Sequence, residues 1–351
     1  MFEGIYKGKK VLITGDTGFK GSWLAIWLDM LGAEVYGYAL PPKTEKDNYV
    51  ICNVDSVISH EDGDIRDLTQ LTSYFKKVNP DIVFHLAAQP LVLQSYDDPI
   101  ETFSTNVMGT VNVLEALKSV PAAKVLVNVT TDKCYDNKEW VWGYKESDAM
   151  GGKDPYSASK GCAELVTAAY RDSFFAKDKN IASARAGNVI GAGDWADNRI
   201  VPDFFKAVMS GEKMSIRNPE ATRPWQHVLE PLFGYLLLGS KMFTSSDYNS
   251  GWNFGPIPSE HYSVKDLIDG FKLVYEGVEI DTPEDEFKPH EANTLRLDIS
   301  KATTYLGWKP MLTFSETVAY TVAGYKADLM EVDILAARKE QIKQFEKKII
   351  G

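Results

Sequence analysis

Cysteine is scarce in this chain: Cys52, Cys134 and Cys162 are the only three among 351 residues. They are odd in number and widely spaced, with no CxxC pair, which excludes a disulfide framework and a zinc knuckle and points to a reducing compartment, the cytoplasm. No run of about 18 apolar residues occurs, so no segment is expected to span a membrane. The opening Met-Phe-Glu-Gly-Ile-Tyr-Lys lacks the apolar stretch and small-residue site of a secretory leader, so export is not expected either. Positive charge is in deficit: 38 Lys and Arg stand against 49 Asp and Glu, a net charge of −11. That excludes a general attraction to nucleic acid or anionic lipid, and an anionic ligand would need a locally basic site. The five histidines show no metal-ligand spacing, so no metal is expected.

What is present is the composition of a soluble globular protein, 44% hydrophobic and 25% charged, long enough for one large domain or two ordinary ones. Lys10-Val11-Leu12-Ile13-Thr14 is a short apolar run followed by Gly15-Asp16-Thr17-Gly18-Phe19-Lys20-Gly21, after which Leu24, Trp27, Leu28 and Leu31 recur at helical spacing. A second run, Glu34 to Tyr38, closes a strand-helix-strand unit of the length a right-handed parallel crossover needs. The pattern repeats in a strand over Ile82 to Ala87, a helix with Phe103, Val107, Val111 and Leu114 on one stripe, and a strand over Val125 to Val129. Such alternation predicts an α/β protein with a doubly wound, mostly parallel sheet. From about Gly187 it fades into Gly-, Pro- and Trp-rich segments, so residues 1–187 are expected to form the sheet domain. Residues 188–351 are expected to form mainly a smaller, irregular α/β domain, with some segments returning to the first. The charge-rich stretch Val332 to Ile350 reads as a solvated terminal helix.

In wound sheets ligands sit beyond the carboxyl ends of the strands. There, the GxxGxxG spacing of Gly15, Gly18 and Gly21, between a strand and an amphipathic helix, suits backbone N–H groups brought up to a pyrophosphate. Asp64 follows a third strand, where a carboxylate could accept from an adenine amino group or merely cap a helix. Tyr156 and Lys160 lie four apart on one helix face, so the ammonium is expected to lower the phenol's pKa for proton transfer near neutrality, as a carbinol oxidation requires. Asn188, Arg199 and Arg223 offer diphosphate contacts, guanidinium forks being suited to phosphate oxygens. Trp225 is read as core or site lining with equal weight, and His85, inside an apolar run, as structural.

With Thr130-Thr131 at a strand end, these segments resemble the extended short-chain dehydrogenase/reductases of the nucleotide-sugar branch, from Val11 to about Pro310. The resemblance implies a Rossmann-type fold, NAD as cofactor, and a catalytic trio at Thr131, Tyr156 and Lys160. It also implies cofactor contacts at Gly15, Thr17, Gly18, Phe19, Gly21, Asp64, Ile65, Leu86, Ala87, Ala88 and Asn106, besides Tyr156 and Lys160. Substrate contacts are implied at Gln89, Arg217 and His290, besides Asn188, Arg199, Arg223 and Trp225. Epimerases of the family carry small residues after the catalytic Thr, and the sugar 4,6-dehydratases an Asp-Glu pair. Here Asp132-Lys133 follows Thr131, a variant that resembles the dehydratases acting on CDP-D-glucose, with Asp132 as acid and Lys133 as base. A homodimer through the helices carrying Asn106 to Leu117 and Tyr156 to Tyr170 is implied as well. Two alternatives stand: a nucleotide-sugar 4-epimerase or 4-ketoreductase, and a dinucleotide-sensing binding protein. One departure concerns the cofactor, since the second strand runs into Ala39-Leu40-Pro41-Pro42-Lys43 without the acid that holds the ribose of NAD, so weaker retention is expected.

Overall fold

The structure is a computed structural model that describes residues 1–216, 218–257, 260–282, 294–330 and 332–351. Seven strands form one sheet: β1 (Lys10–Thr14), β2 (Glu34–Ala39), β3 (Ser59–Asp62), β4 (Ile82–His85), β5 (Val125–Val129), β6 (Asn180–Ala186) and β7 (Gly251–Phe254). Their order is β7-β6-β5-β4-β1-β2-β3, and every pairing is parallel. The order reverses between β1 and β4, which opens a crevice at their carboxyl ends.

Alternation along the strands sorts the core into two layers. Leu12, Val83, Leu126 and Ile181 face one side, where α2 (Leu68–Val78) and α3 (Gly109–Lys118) cover them. Val11, Ile13, Phe84, Val127 and Ala184 face the other, against α1 (Phe19–Met30) and a later helix, Leu229–Thr244. Burial on both faces accounts for the nearly continuous apolar runs. The fourth strand ends at His85, two residues short of the sequence expectation, because Leu86 and Ala87 are drawn over the glycine loop: Leu86 N–H donates to Thr14 O at 2.9 Å.

The helix that carries Tyr156 and Lys160 starts as its residues dictate. Asp154 caps α4 (Pro155–Tyr170) by accepting from Ser157 N–H at 2.9 Å, and Pro155 occupies the first turn, where its missing N–H costs nothing. A second apolar cluster is built on α5 (Ile200–Ser210), α7 (Val264–Lys272), α8 (Phe314–Asp328) and three short strand pairs, while α6 (Leu229–Thr244) packs in the core of the sheet. The terminal helix α9 (Ile334–Ile350) is not the solvated element its charge suggested. Arg338 is wholly buried, ion-paired to Asp328 and donating to Asn48 Oδ1 at 2.9 Å, and Trp27 of α1 donates to Glu346 Oε1 at 2.9 Å. Its polar residues are spent on partners far away in sequence. Among the described residues no helix is long and apolar enough to cross a membrane.

Candidate active site

The loop between β1 and α1 is closely packed where glycine stands. Gly15 has a left-handed backbone (φ +82°), and a Cβ there would come within 2.6 Å of Ala87 N; one on Gly21 would lie 2.0 Å from Gly15 O. Gly18 caps α1 with no side-chain hydrogen bond, so the helix presents bare first-turn N–H groups with positive polarity. This cradle fits a dinucleotide pyrophosphate. Thr17 donates to Leu40 O at 2.8 Å and ties the loop to the end of β2. Ile65 is buried against Gly109, with its carbonyl accepting from Asn112 Nδ2 at 2.9 Å. Leu86, Ala87 and Ala88 form the half-buried rim after β4.

Three expected contacts are turned to internal use. Asp64 is engaged by Arg66, whose guanidinium donates at 2.6 Å and holds the carboxyl below its ordinary range. Asn106 accepts from Gln89 N–H at 2.9 Å and donates to Ser159 Oγ at 2.9 Å, so it clamps the β4 loop onto α4. Gln89 spends its amide on Thr102 Oγ1 and on both polar atoms of the Leu91 backbone.

At the end of β5, Thr131, Tyr156 and Lys160 come together, each less than a tenth exposed. Tyr156 is hydrogen-bonded to Thr131. The expectation that Lys160 brings the phenol near neutrality is corrected: burial pushes Tyr156 up to about 12, and the opposing influences are Thr131 and the charge of Arg199. Lys160 is itself pushed down to about 8 by burial, against the pull of Glu164. Asp132 is fully buried. Its Oδ1 accepts from Thr131 Oγ1 at 2.9 Å, and its Oδ2, pressed against Gly187, has no hydrogen-bond partner. The half-exposed Lys133 amine stands 3.8 Å from Asp132 Oδ1, too far for a hydrogen bond.

Behind this row lies a buried network. Glu164 accepts from Thr130, from Ser183 Oγ at 2.6 Å and from Arg185 Nη2 at 2.7 Å; Arg185 Nη1 also donates to Tyr135 OH at 2.7 Å. It joins α4, β5 and β6 and so fixes the base on which Thr131 and Tyr156 stand.

Asn188 holds a left-handed backbone (φ 47°) and a buried Oδ1 without a partner. Arg199 is ion-paired to Asp194 at 2.8 Å, and its charge reaches Tyr156. Arg223 donates to Thr222 O at 2.9 Å and lines a cleft with Glu260, His261 and Arg296. Trp225 proves to be core: it packs in the second cluster, its indole N–H directed at Ser263 O, 3.4 Å away. His85 is structural, held by Thr14 Oγ1 at 2.7 Å and pushed down to about 3 by burial. Arg217 and His290 lie outside the described residues.

The profile of the GDP-mannose 4,6-dehydratase family matches residues 12–321. The chain belongs to this family. It is 46% identical, over 98% of both chains, to the CDP-glucose 4,6-dehydratase of Salmonella typhimurium. Among solved structures, the UDP-glucose 4-epimerase of Thermotoga maritima with UDP-glucose superimposes with a TM-score of 0.78 at 22% identity, covering 92% of this chain and 100% of the other. The dTDP-glucose 4,6-dehydratase of Bacillus anthracis in complex with NAD does so with 0.74 at 19%, covering 91% and 97%. These structures share the fold of the chain.

Two features of this family member are not apparent from spacing. Asp16 of the glycine loop, wholly buried, sits where a Cβ on Gly37 would touch it, 2.1 Å from Oδ2, and hydrogen-bonds His60 at 2.7 Å. Burial alone would lower His60, but Asp16 at 2.7 Å and Asp62 at 3.1 Å outweigh it and push the imidazole up to about 9. The stability this histidine contributes is therefore complete below its ordinary value of about 6.5 and is lost as pH rises through about 9. A histidine-selective NMR titration of the whole protein should show one ring with its midpoint near 9 that disappears in His60→Gln; a His60 midpoint close to 6.5 would contradict the pairing. The other feature is Lys20, whose side chain runs from the glycine loop towards Lys160 and Asp132.

Proposed function

We propose that the chain converts CDP-D-glucose to CDP-4-dehydro-6-deoxy-D-glucose and water, using tightly held NAD for an internal hydride transfer. The observation that carries this reading is Asp132, a buried carboxyl with one unpartnered oxygen immediately beside Thr131 and Tyr156. Oxidation and re-reduction at carbon 4 need only Thr131, Tyr156 and Lys160; loss of water needs a further acid. The 46% identity to a relative named for CDP-glucose supports the choice of base.

In this reading the N–H groups of the Gly15–Gly21 loop hold the cofactor diphosphate, with Lys160 and Tyr156 at its reactive end. Bound NAD supplies a hydride store for carbon 4 and, in its oxidised form, a positive ring near Tyr156. Tyr156 takes the proton of the sugar's 4-hydroxyl while Thr131 hydrogen-bonds the same oxygen. The ketone so formed acidifies the proton on carbon 5. Lys133 takes that proton, and Asp132 gives its own to the departing 6-hydroxyl, which leaves as water; the hydride taken from carbon 4 would then return to carbon 6 while carbon 5 regains a proton, which completes the 6-deoxy product with no net change in the cofactor. Both roles require the carboxyl protonated and the amine neutral when the step occurs. Asn188 and Arg223 serve the substrate diphosphate, and Arg199 the hexose end, near Tyr156.

Two further assignments belong to the proposal. Ile100, Phe103 and Met108, before and at the start of α3, and Leu165 on α4 are exposed apolar residues, which supports a homodimer through these helices. The three free cysteines, two of them buried, suit the cytoplasm.

The decisive test incubates protein and NAD with CDP-, dTDP-, GDP- and UDP-glucose in deuterated water and follows products by NMR. A 4-keto-6-deoxy product from CDP-glucose alone, deuterated at carbon 5, is expected. Asp132→Asn should still oxidise carbon 4, seen as accumulating reduced nicotinamide, while water loss falls about 10²-fold or more. A galactose epimer as product would replace the dehydratase reading by the epimerase; tight NAD binding without turnover of any sugar would replace it by the sensor.

A further inference from the structure

We propose that Lys20 is an additional residue of the reaction centre, whose ammonium stands beside the reactive ring of the bound dinucleotide and disfavours its oxidised form relative to its reduced form. The proposal rests on the NAD reading above and concerns what this chain does to that cofactor.

The position follows from the two ends of the lysine. Its backbone belongs to the first turn of α1, directly after Gly18 and Phe19, among the bare N–H groups that suit a pyrophosphate. Its amine lies at the other end of the site, 5.9 Å from the ring centroid of Tyr235 on α6. It is close enough to Lys160, Arg199, Asp132 and Asp194 for their charges to act on it. Among the described residues the amine has no hydrogen-bond or ion-pair partner, and the hydroxyl of the wholly buried Tyr235 is likewise unpartnered. A dinucleotide with its diphosphate on α1 and its reacting ring at Tyr156 therefore runs along this side chain.

The consequence is electrostatic. The oxidised nicotinamide is a cation and the reduced ring is neutral, so a neighbouring ammonium repels only the oxidised form. Burial, reinforced by Lys160 and Arg199 and opposed by Asp132 and Asp194, pushes Lys20 down to about 7, so the amine is largely charged at about pH 6. Such a charge makes the bound cofactor a better hydride acceptor at carbon 4, at the cost of weaker binding before substrate arrives. A lysine that only packed against Tyr235 would affect both forms of the cofactor alike.

The test is the ratio of the dissociation constants of NAD⁺ and NADH, measured by calorimetry at about pH 6 on the full-length protein and on Lys20→Met, Lys20→Gln and Lys20→Arg. In the Met and Gln variants the ratio should fall about tenfold, NAD⁺ binding more tightly relative to NADH, while the Arg variant keeps the parent ratio. An unchanged ratio in both neutral variants, or equal shifts in the two affinities, overturns the role of Lys20. Failure of the parent protein to bind either form overturns the dinucleotide reading itself.

Discussion

Replacing Tyr156 by phenylalanine will lower turnover of CDP-D-glucose by about 10³-fold while leaving the affinity for the nucleotide sugar within about threefold. The hydroxyl is hydrogen-bonded to Thr131 at the end of β5, and in the proposed reaction its removal takes away the group that receives the 4-hydroxyl proton. The ring itself is buried and remains to fill its place. Because burial pushes the phenol up to about 12, the proton is held firmly until positive charge arrives beside it. Activity of the parent protein should accordingly rise with pH through the range in which the loaded site releases that proton. The limb should be absent from the residual activity of Tyr156→Phe, and a pre-steady-state experiment should show the loss already in the first hydride transfer. If Tyr156→Phe oxidises carbon 4 at the parent rate and fails only in water loss, the phenol is not the base and another group must be.

The second large effect is on stability. Glu164 and Arg185 form an ion pair at 2.7 Å with side chains only 4% and 6% exposed. Burial alone would raise Glu164, but Arg185, Ser183 and Thr130 outweigh it and hold the carboxyl below its ordinary range. Removing one partner leaves the other charge buried and unpaired, so Glu164→Ala should cost about 3–5 kcal/mol in a urea titration of the intact protein. Arg185 has little reserve, since its Nε already lacks a partner. The double variant Glu164→Leu with Arg185→Met should cost less than the single one, because no charge is then stranded. The folded-state pKa of Glu164 is depressed, so this contribution is present above its ordinary value of about 4.3 and is lost as pH falls through the lower, folded one. A single-variant cost under about 1 kcal/mol would show that the pair is not the support beneath Thr131 that the geometry makes it.

The apolar stripe on the helix after β4 shows how a correct pattern can run only partly into the core. Phe103, Val107, Val111 and Leu114 repeat at helical spacing on one stripe; Leu114 is fully buried, yet Phe103 is exposed and Val107 and Val111 are only half-buried. The face turned into the protein is carried by Thr102, Asn106, Gly109, Thr110 and Val113. A periodicity records that a face is apolar; it does not record that the face is buried. The reverse error occurred at α9, where charge suggested solvent but Arg338 and Gln341 face the interior because Asp328, Asn48 and the carbonyl of Tyr320 meet them there.

Local chemistry was sufficient to reveal the strand, glycine loop and helix at residues 10–30, the parallel alternation that follows, and the row of Thr131, Asp132, Tyr156 and Lys160. Each depends on residues close together in sequence: a glycine is required where backbone approaches within van der Waals contact, an apolar run where both faces are covered, and an i,i+4 pair where one helix face must act. The pairing of Asp16 with His60, the support of Thr131 by Glu164 and Arg185, and the meeting of Lys20 with Tyr235 depend on residues between 21 and 215 positions apart. The same holds for the state of the Tyr156 phenol, which spacing assigned to Lys160 and burial decided otherwise. Charge and hydrogen bonding act through space and are weighted by exclusion of water, and neither the distances nor that exclusion exist until the chain has folded.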